Sequence, residues 1–532
     1  MRLSDEFLRT FISKHKPLSV YILLLLIFLA LCSGHIGGDG LWIYLSAESL
    51  VLDGDLNLIN LPPDFDVKEL QLTYNNILEA AEQRKADGFD SMYTKYGLVM
   101  ILLEVPFYLI GHAAHALFPF FKHDYFTVFF VSLLNCFVSA LLGLYVYLFV
   151  RDIIRSERRA LLITAVFCFG TYIIAYGLKS GFSEPLQGLC IFGAFYHAYI
   201  FRKKEERRQL LYSGLLGAAA LLTKFYSFIG VGLIGIYVLW LIWEKSSASQ
   251  SEADPPPAEK KHLSRPVRID HYAAVLYFII PLAVGTGILL YNNYSKYGNV
   301  FETGYFHSAE MVVFDYVFLH ITARAFNLLL SPGKGLLLFA PVVLLSLSGF
   351  NAFRRSHREE AVLCFAMFAA FFAFLSVFTI WHGDWSWGPR YLYITMPFLI
   401  LPVSALLNDE LYKKWICKIK ICFIIGLLVQ LPAVLMNNGD FIRLSKNADF
   451  NDYRMTLAQF SPITGGYVRL ASAVYRQFTG ESLKYPVSSK GSNMRKEYTV
   501  DYTRTKLEYV SLEGYDKFDL WIFNIRRVFH SK

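Results

Sequence analysis

Charged residues are scarce in this sequence. Asp, Glu, Lys and Arg make up only 18% of the 532 residues, and 55% of the residues are hydrophobic. Soluble domains carry about 25% charged residues. Runs of roughly twenty apolar residues recur along the chain, the length that crosses a bilayer as a helix. This composition excludes an ordinary soluble domain and favours a polytopic membrane protein. The net charge of +8 is therefore no sign of nucleic-acid binding, and we expect no nucleic-acid partner.

The sequence also lacks the cysteine spacings of metal sites and disulfide frameworks. Its seven cysteines lie in or beside apolar runs, where they are expected to be small buried hydrophobic residues. No small-residue cleavage site precedes Asp39, so the first apolar segment is predicted to be a retained helix rather than a cleaved signal peptide. Internal repeats, which are common in transporters, are absent as well.

Eleven apolar segments are predicted to span the membrane. They are residues 17–34, 125–150, 160–178, 184–201, 210–224, 226–243, 272–291, 335–350, 361–380, 391–408 and 420–437. The basic connecting segments are residues 151–159, 202–208, 244–270, 354–358 and 413–420. Basic loops stay in the cytoplasm, and the N-terminus is basic too. The sequence therefore predicts an all-α polytopic membrane protein with its N-terminus inside and its C-terminus outside.

One further apolar segment, residues 96–118, decides this topology. If it spans the membrane, every later loop is inverted relative to the N-terminus. It also contains Glu104, Pro106 and two histidines, a poor composition for a full span. We therefore predict a helix that lies in the membrane interface. The alternative is twelve spans with an external N-terminus.

This topology leaves two polar regions outside the membrane. Residues 35–124 form a large external loop, with eleven Asp or Glu and four Lys or Arg between residues 35 and 95. Its pattern predicts short helices broken by turns at Asp-Gly and Pro-Pro. Residues 438–532 form an external tail, in which "YTVDY" and "KLEYVSL" alternate as strands do. The predicted domains are thus a transmembrane domain, 1–437, and a small soluble tail, 438–532.

Residue types that carry chemistry collect at the external ends of the predicted spans. Asp39 follows the first span between glycines, which let the backbone bring its carboxylate close to a substrate. Lys95 precedes the interfacial helix, where an ammonium can meet a lipid phosphate. Glu184 lies in a short external turn, and Lys334 lies among Pro332, Gly333 and Gly335 where an anion can sit. Each position also has a structural alternative: a solvated turn, a snorkelling lysine, a helix cap or helix punctuation.

The densest group of such residues lies within residues 381–390. Its members are Trp381, His382, Asp384, Trp385, Trp387 and Arg390. An aromatic belt explains the tryptophans alone, but it does not require His, Asp and Arg between two glycines. Arg390 follows Pro389 at the start of a predicted span, where a guanidinium can bind phosphate through two hydrogen bonds. Aromatic rings and carboxylates suit a sugar, and cations suit a phosphate.

With these segments the chain resembles the GT-C membrane glycosyltransferases, which include the protein O-mannosyltransferases and the aminoarabinose transferase of lipid A. The resemblance rests on the acid after the first span, Asp39, and on "TKYG" with Lys95. It also rests on "SPGKGLLLFAPV" and "WHGDWSWGPRYLYITMPFL". It covers residues 17–437. Many members have two adjacent acids after the first span, whereas Asp39 stands alone, which argues against a metal-binding role.

The resemblance implies transfer of a sugar from a polyprenyl-phosphate donor to a lipid, glycan or protein acceptor. The reaction would take place on the external, periplasmic face of a bacterial inner or plasma membrane. Asp39 would be the general base for the acceptor hydroxyl, or would orient the acceptor or hold a divalent ion. The cations implied for the leaving lipid phosphate are Lys95, Lys334 and Arg390. The residues implied for sugar or acceptor contacts are His382, Asp384 and Glu184. No cofactor is expected apart from that divalent ion.

Two other functional classes remain open at this point. A lipid or glycan transporter or flippase without transferase activity would need polar groups near the membrane midplane and usually broken helices. The candidate residues lie at the external boundary instead. A non-catalytic membrane scaffold would not need a cluster such as residues 381–390.

Overall fold

The computed structural model is dominated by helices. It describes residues 16–67, 70–179, 181–251, 271–304, 314, 316–383, 386–439, 441, 461–488 and 507–521. The helices of the first half are α1 Lys16–Leu31, α2 Gly38–Leu52, α3 Gln71–Ala86, α4 Leu98–Leu117, α5 His123–Ser132, α6 Leu134–Ile154, α7 Glu157–Phe169, α8 Ile173–Leu178, α9 Glu184–Lys204, α10 Arg207–Thr223 and α11 Phe228–Ser251. Those of the second half are α12 His271–Tyr297, α13 Phe318–Leu330, α14 Leu336–Phe339, α15 Leu344–Ser356, α16 Arg358–Val377, α17 Met396–Ala405, α18 Tyr412–Leu435 and α19 Pro462–Thr479.

The predicted apolar segments are helical throughout the described chain. Each of the eleven coincides with one helix or with consecutive short helices. Among the described residues, six helices are long and apolar enough to cross a membrane, which makes the chain an integral membrane protein. They are Leu98–Leu117, His123–Ile154, Phe225–Glu244, Ala273–Tyr297, Arg358–Val377 and Tyr412–Leu435. The segment predicted to lie in the interface, now α4, is one of the six. The number of crossings and the orientation of the chain stay predictions.

Helix α9 runs through the interior of the bundle. Every residue from Glu184 to Phe195 is buried, so this part of the helix has no polar face toward solvent or apolar face toward lipid. A helix that is covered on all sides lies in the core. The carboxylate at its first residue, Glu184, is therefore held inside the protein rather than on its surface.

The predicted external loop folds on a small core of its own. Helices α2, α3, α4 and α5 enclose buried aromatic residues, with the rings of Phe65 and Tyr74 stacked at 4.6 Å. Helix α2 ends at Leu52 with Asp53 as its cap, and Gly54 then adopts a φ of +77°, a conformation that favours glycine. The prediction of short helices broken at Asp-Gly is thus confirmed.

The C-terminal tail packs against the helical bundle. Strands β1 Lys484–Ser488 and β2 Leu507–Ser511 pair antiparallel, and β2 lies within "KLEYVSL" as predicted. The segment "YTVDY" lies outside the described residues. The backbone N–H of Trp521 donates to the carbonyl of Cys32 at 2.9 Å, and that of Asp519 to the carbonyl of Leu435 at 2.8 Å. The tail therefore closes on the ends of α1 and α18.

Candidate active site

Asp39 lies at the start of a helix, not at the end of the first one. Helix α1 ends at Leu31, and Asp39 occupies the first turn of α2 after Gly37 in an extended conformation. A close contact between two glycines, Gly40 and Gly181, fixes the position of Asp39. A Cβ atom on Gly40 would lie 2.3 Å from Cα of Gly181, so the two backbones touch in a way that no side chain permits. This contact brings Asp39 beside the turn that leads to Glu184.

Arg390 joins these two carboxylates. Its Nη2 donates to Oδ2 of Asp39 at 2.5 Å, and its Nε donates to Oε1 of Glu184 at 2.9 Å. The guanidinium also lies over the ring of Phe182, 4.5 Å from its centroid. Only 7% of the Arg390 side chain is exposed, whereas a third of Asp39 faces solvent. Three segments that are far apart in sequence thus meet at the buried guanidinium of Arg390. Of the two carboxylates that it binds, only that of Asp39 is accessible to solvent.

Lys224 completes the group, and sequence reasoning missed it. Its Nζ donates to Oε1 of Glu184 at 2.5 Å, and it is nearly as buried as its partner. The available signal was the motif "LLTKFYS", in which a lone cation, Lys224, is the last residue of the predicted span 210–224. We call Asp39, Glu184, Lys224 and Arg390 the charged tetrad. It holds two acids and two bases, so its formal charge is balanced.

The pKa of Asp39 reflects this pairing. Burial raises the pKa of its carboxyl, but the charge of Arg390 and the hydrogen bond that it donates outweigh burial. A hydrogen bond from Tyr96 acts in the same direction, and the pKa of Asp39 lies below its ordinary value. Asp39 is therefore a carboxylate at neutral pH and can accept a proton.

A partly open pocket lies next to the tetrad. Lys95, Lys224 and Lys296 line it together with Tyr96 and Tyr297. Lys224 belongs to both the pocket and the tetrad, and Tyr96 links the pocket to Asp39. Three ammonium groups line one pocket, and such a group of cations suits an anion such as a phosphate.

The remaining predicted residues surround this centre. Lys334 is fully buried, and its Nζ donates to the carbonyl and hydroxyl oxygens of Ser386 at 2.6 and 2.9 Å. It therefore fastens the 381–390 segment that carries Arg390. His382 is buried in the same segment with its ring beside Trp381. Asp384 lies outside the described residues. The structure thus brings Asp39, Glu184 and Arg390 into contact, with Lys95 in the adjacent pocket.

The tetrad does not suit a divalent cation. Within the described chain, the two carboxylates at this centre are both paired with Arg390, and Glu184 is paired with Lys224 as well. A hard cation such as Mg²⁺ or Ca²⁺ needs several oxygen ligands that are not already neutralised by cationic side chains. We therefore assign no metal ion to Asp39.

Part of the chain matches a known protein family. Residues 97–290 match the model of the dolichyl-phosphate-mannose-protein mannosyltransferase family. The resemblance to the GT-C glycosyltransferases is thereby confirmed. The matched range, residues 97–290, includes Glu184 and Lys224 of the tetrad. Asp39 precedes this range and Arg390 follows it.

Solved structures give a more distant likeness. The crystal structure of ArnT from Cupriavidus metallidurans bound to undecaprenyl phosphate is 12% identical, with a TM-score of 0.44. The alignment covers 86% of this chain and 78% of that chain. A search of curated proteins gives no significant match.

Proposed function

We propose that this protein is a membrane glycosyltransferase that moves a sugar from a polyprenyl-phosphate donor to a hydroxyl acceptor at the external face of the membrane. The observation that carries the proposal is Arg390, which bridges Asp39 and Glu184 beside a pocket lined by three lysines. Glycosyl transfer from a phosphate donor requires a general base for the acceptor and cationic groups that bind the leaving phosphate. The match to a mannosyltransferase family supports the same reaction class.

The donor phosphate is assigned to the lysine-lined pocket and to Arg390. As the bond between the anomeric carbon and the phosphate oxygen breaks, its electron pair stays with the lipid phosphate. Lys95, Lys224 and Lys296 then meet the negative charge that develops on this leaving group. The planar guanidinium of Arg390 can add two parallel hydrogen bonds to the phosphate oxygens.

Asp39 is assigned the role of general base. Its exposed oxygen can take the proton of the acceptor hydroxyl while the hydroxyl oxygen attacks the anomeric carbon. In the free protein, Arg390 lowers the pKa of Asp39 and makes it a weak base. A phosphate that draws Arg390 toward itself would loosen this pairing and raise the basicity of Asp39. Donor binding would thus prepare the base for the acceptor.

The transporter alternative finds no support in this arrangement. Transport across a membrane requires a binding site near the midplane that opens to either side in turn. The charged residues of the tetrad lie instead at the first turn of α2, at the start of α9 and at the end of α10. A site at helix ends suits a substrate that stays at one membrane face.

The test is sugar transfer by the purified full-length protein in lipid nanodiscs, with polyprenyl-phosphate sugars as donors. Mass spectrometry of the lipids and glycans of a deletion strain would identify the sugar and the acceptor. We expect Asp39→Asn to lower turnover by about 10²–10⁴-fold, because an amide cannot take the proton. Asp53→Asn, an exposed acid at the other end of α2, is the matched control and should keep full activity. Full activity of Asp39→Asn would remove Asp39 from the chemistry.

A further inference from the structure

Histidines and carboxylates converge where α2, α4 and α5 meet, away from the charged tetrad. One ligand atom each of Glu48, His123 and Asp124 lies within 4.8 Å of the other two. Nδ1 of His112 is 3.1 Å from Nε2 of His123. The ring of His115 is 5.4 Å from that of His123, and its buried Nδ1 has no hydrogen-bond partner in the described part of the chain.

The spacing of these groups fits a metal ion. Zinc binds imidazole nitrogen at about 2.0–2.1 Å, so two ligands of a tetrahedral ion stand about 3.3 Å apart. The 3.2 Å between Nδ1 of His123 and Oδ1 of Asp124 is close to that separation. Glu48 and Asp124 bring two carboxylates together, which repel each other unless a cation lies between them. Imidazole and carboxylate together favour a transition metal such as Zn²⁺ or Mn²⁺.

Hydrogen bonds from surrounding groups also orient the carboxylates of Glu48 and Asp124, as is usual for metal ligands. The hydroxyls of Tyr108 and Tyr44 donate to Oε1 of Glu48 at 3.0 and 3.3 Å. The backbone N–H of Asp66 donates to Oδ2 of Asp124 at 2.9 Å. These bonds hold one oxygen of each carboxylate. The other oxygen of Asp124 lies 3.2 Å from Nδ1 of His123, where the two could share an ion.

We propose that Glu48, His123 and Asp124 bind one divalent transition-metal ion. The site is separate from the proposed transferase centre. Glu48 and Asp39 are nine residues apart on α2, which is about 13 Å along a helix. The ion would fasten α2, which begins beside Asp39, to α5. This proposal does not depend on the reaction that the protein performs.

The test is a direct titration with Zn²⁺ of the full-length protein, freed of affinity tags and of metal by a chelator. We expect one equivalent of Zn²⁺ to bind and to raise the unfolding temperature. Co²⁺ in its place should give the absorption bands of a tetrahedral nitrogen and oxygen site. Failure of the wild-type protein to bind either ion would overturn the proposal.

Variants locate the ion. Changing an outer-shell partner typically costs about 10–100-fold in metal affinity, and losing a ligand should cost at least as much. Glu48→Gln and His123→Gln should therefore each weaken Zn²⁺ binding by at least about tenfold and abolish the rise in unfolding temperature. Glu79→Gln, an exposed glutamate on neighbouring α3, is the matched control and should bind as the wild type does. Undiminished binding in both cluster variants would place the ion elsewhere and reject the site. Asp124→Asn gives the same test if one of them fails to fold.

Discussion

At the scale of single residues, Arg390 connects the site, because its guanidinium donates hydrogen bonds to two carboxylates from different segments, Asp39 and Glu184. Lysine keeps the charge at this position but not the planar fork that binds two acceptors at once. We expect Arg390→Lys to weaken donor binding or turnover by about tenfold to a hundredfold, since a charge-assisted hydrogen bond is worth about 1.5–3 kcal/mol. Donor affinity and turnover of Arg390→Lys and Arg390→Ala in nanodiscs measure this.

Two results would contradict that role. If lysine restores both affinity and turnover while alanine does not, Arg390 supplies only a charge. If alanine is harmless too, the phosphate seat lies with Lys95 and the other pocket lysines. Thermal unfolding of each variant separates a loss of binding from a loss of fold, because alanine leaves two buried or half-buried carboxylates without their guanidinium.

The pair of Lys224 and Glu184 tests the charge balance of the tetrad. Both side chains are at least nine-tenths buried, and removal of one partner from a buried pair costs about 3–5 kcal/mol because the other charge is left uncompensated. Lys224→Met should therefore lower the free energy of unfolding by several kcal/mol. The double variant Lys224→Met/Glu184→Gln removes one charge of each sign and should be more stable than Lys224→Met. Unfolding of Lys224→Met, of Glu184→Gln and of the double variant in detergent measures the coupling between the two residues. Simple addition of the two single effects would show that the charges do not act as a unit.

At the scale of helices, the sequence predicted much of the architecture but not the contacts that build the site. Apolar length alone located the helices, since a run that is apolar on every side must be buried or in lipid. Asp39, Glu184 and Arg390 each stood out as charges at the ends of such runs. Their meeting could not be foreseen, because it depends on packing between segments up to 351 residues apart. Lys224 was missed because a lone lysine at the end of a span is an ordinary feature of membrane proteins.

The contact between α2 and the turn before α9 gives a prediction at this scale. A methyl group on Gly40 would overlap the backbone of Gly181 at 2.3 Å, and backbone atoms cannot rotate away as a side chain can. Gly40→Ala should therefore separate α2 from α9, cost about 1–3 kcal/mol of stability and reduce turnover by moving Asp39 away from Arg390. Gly287→Ala is the matched control, because nothing lies within 4 Å of its added Cβ. Activity and unfolding temperature of the two variants measure the effect, and equal behaviour would mean that the contact is not needed.

At the scale of the whole molecule, the tetrad constrains how the chain crosses the membrane. Residues whose side chains touch lie on the same side, so the chain makes an even number of crossings between Asp39 and Glu184. Helices α5 and α6 together, and α7 and α8 together, give two crossings. A crossing by α4 would give three and would put Asp39 and Glu184 on opposite faces. The ion pairs with Arg390 therefore favour an α4 that lies along the membrane surface. The histidines and Glu104 of α4 favour the same placement, because such residues are poorly suited to a membrane span.

This constraint makes residue 90 the decisive position for the topology. We expect reporter fusions to report the cytoplasm at Lys16 and Lys204 and the exterior at Asp90 and Lys532, because the basic loops face inward. The twelve-span alternative gives the same sides at Lys204 and Lys532 but reverses Lys16 and Asp90. Alkaline phosphatase fusions, which are active only outside, and fluorescent protein fusions, which fold only inside, measure the two faces independently. A cytoplasmic signal at Asp90 would place Asp39 on the opposite face from Glu184, and neither the tetrad nor the proposed transferase centre could then exist in the membrane.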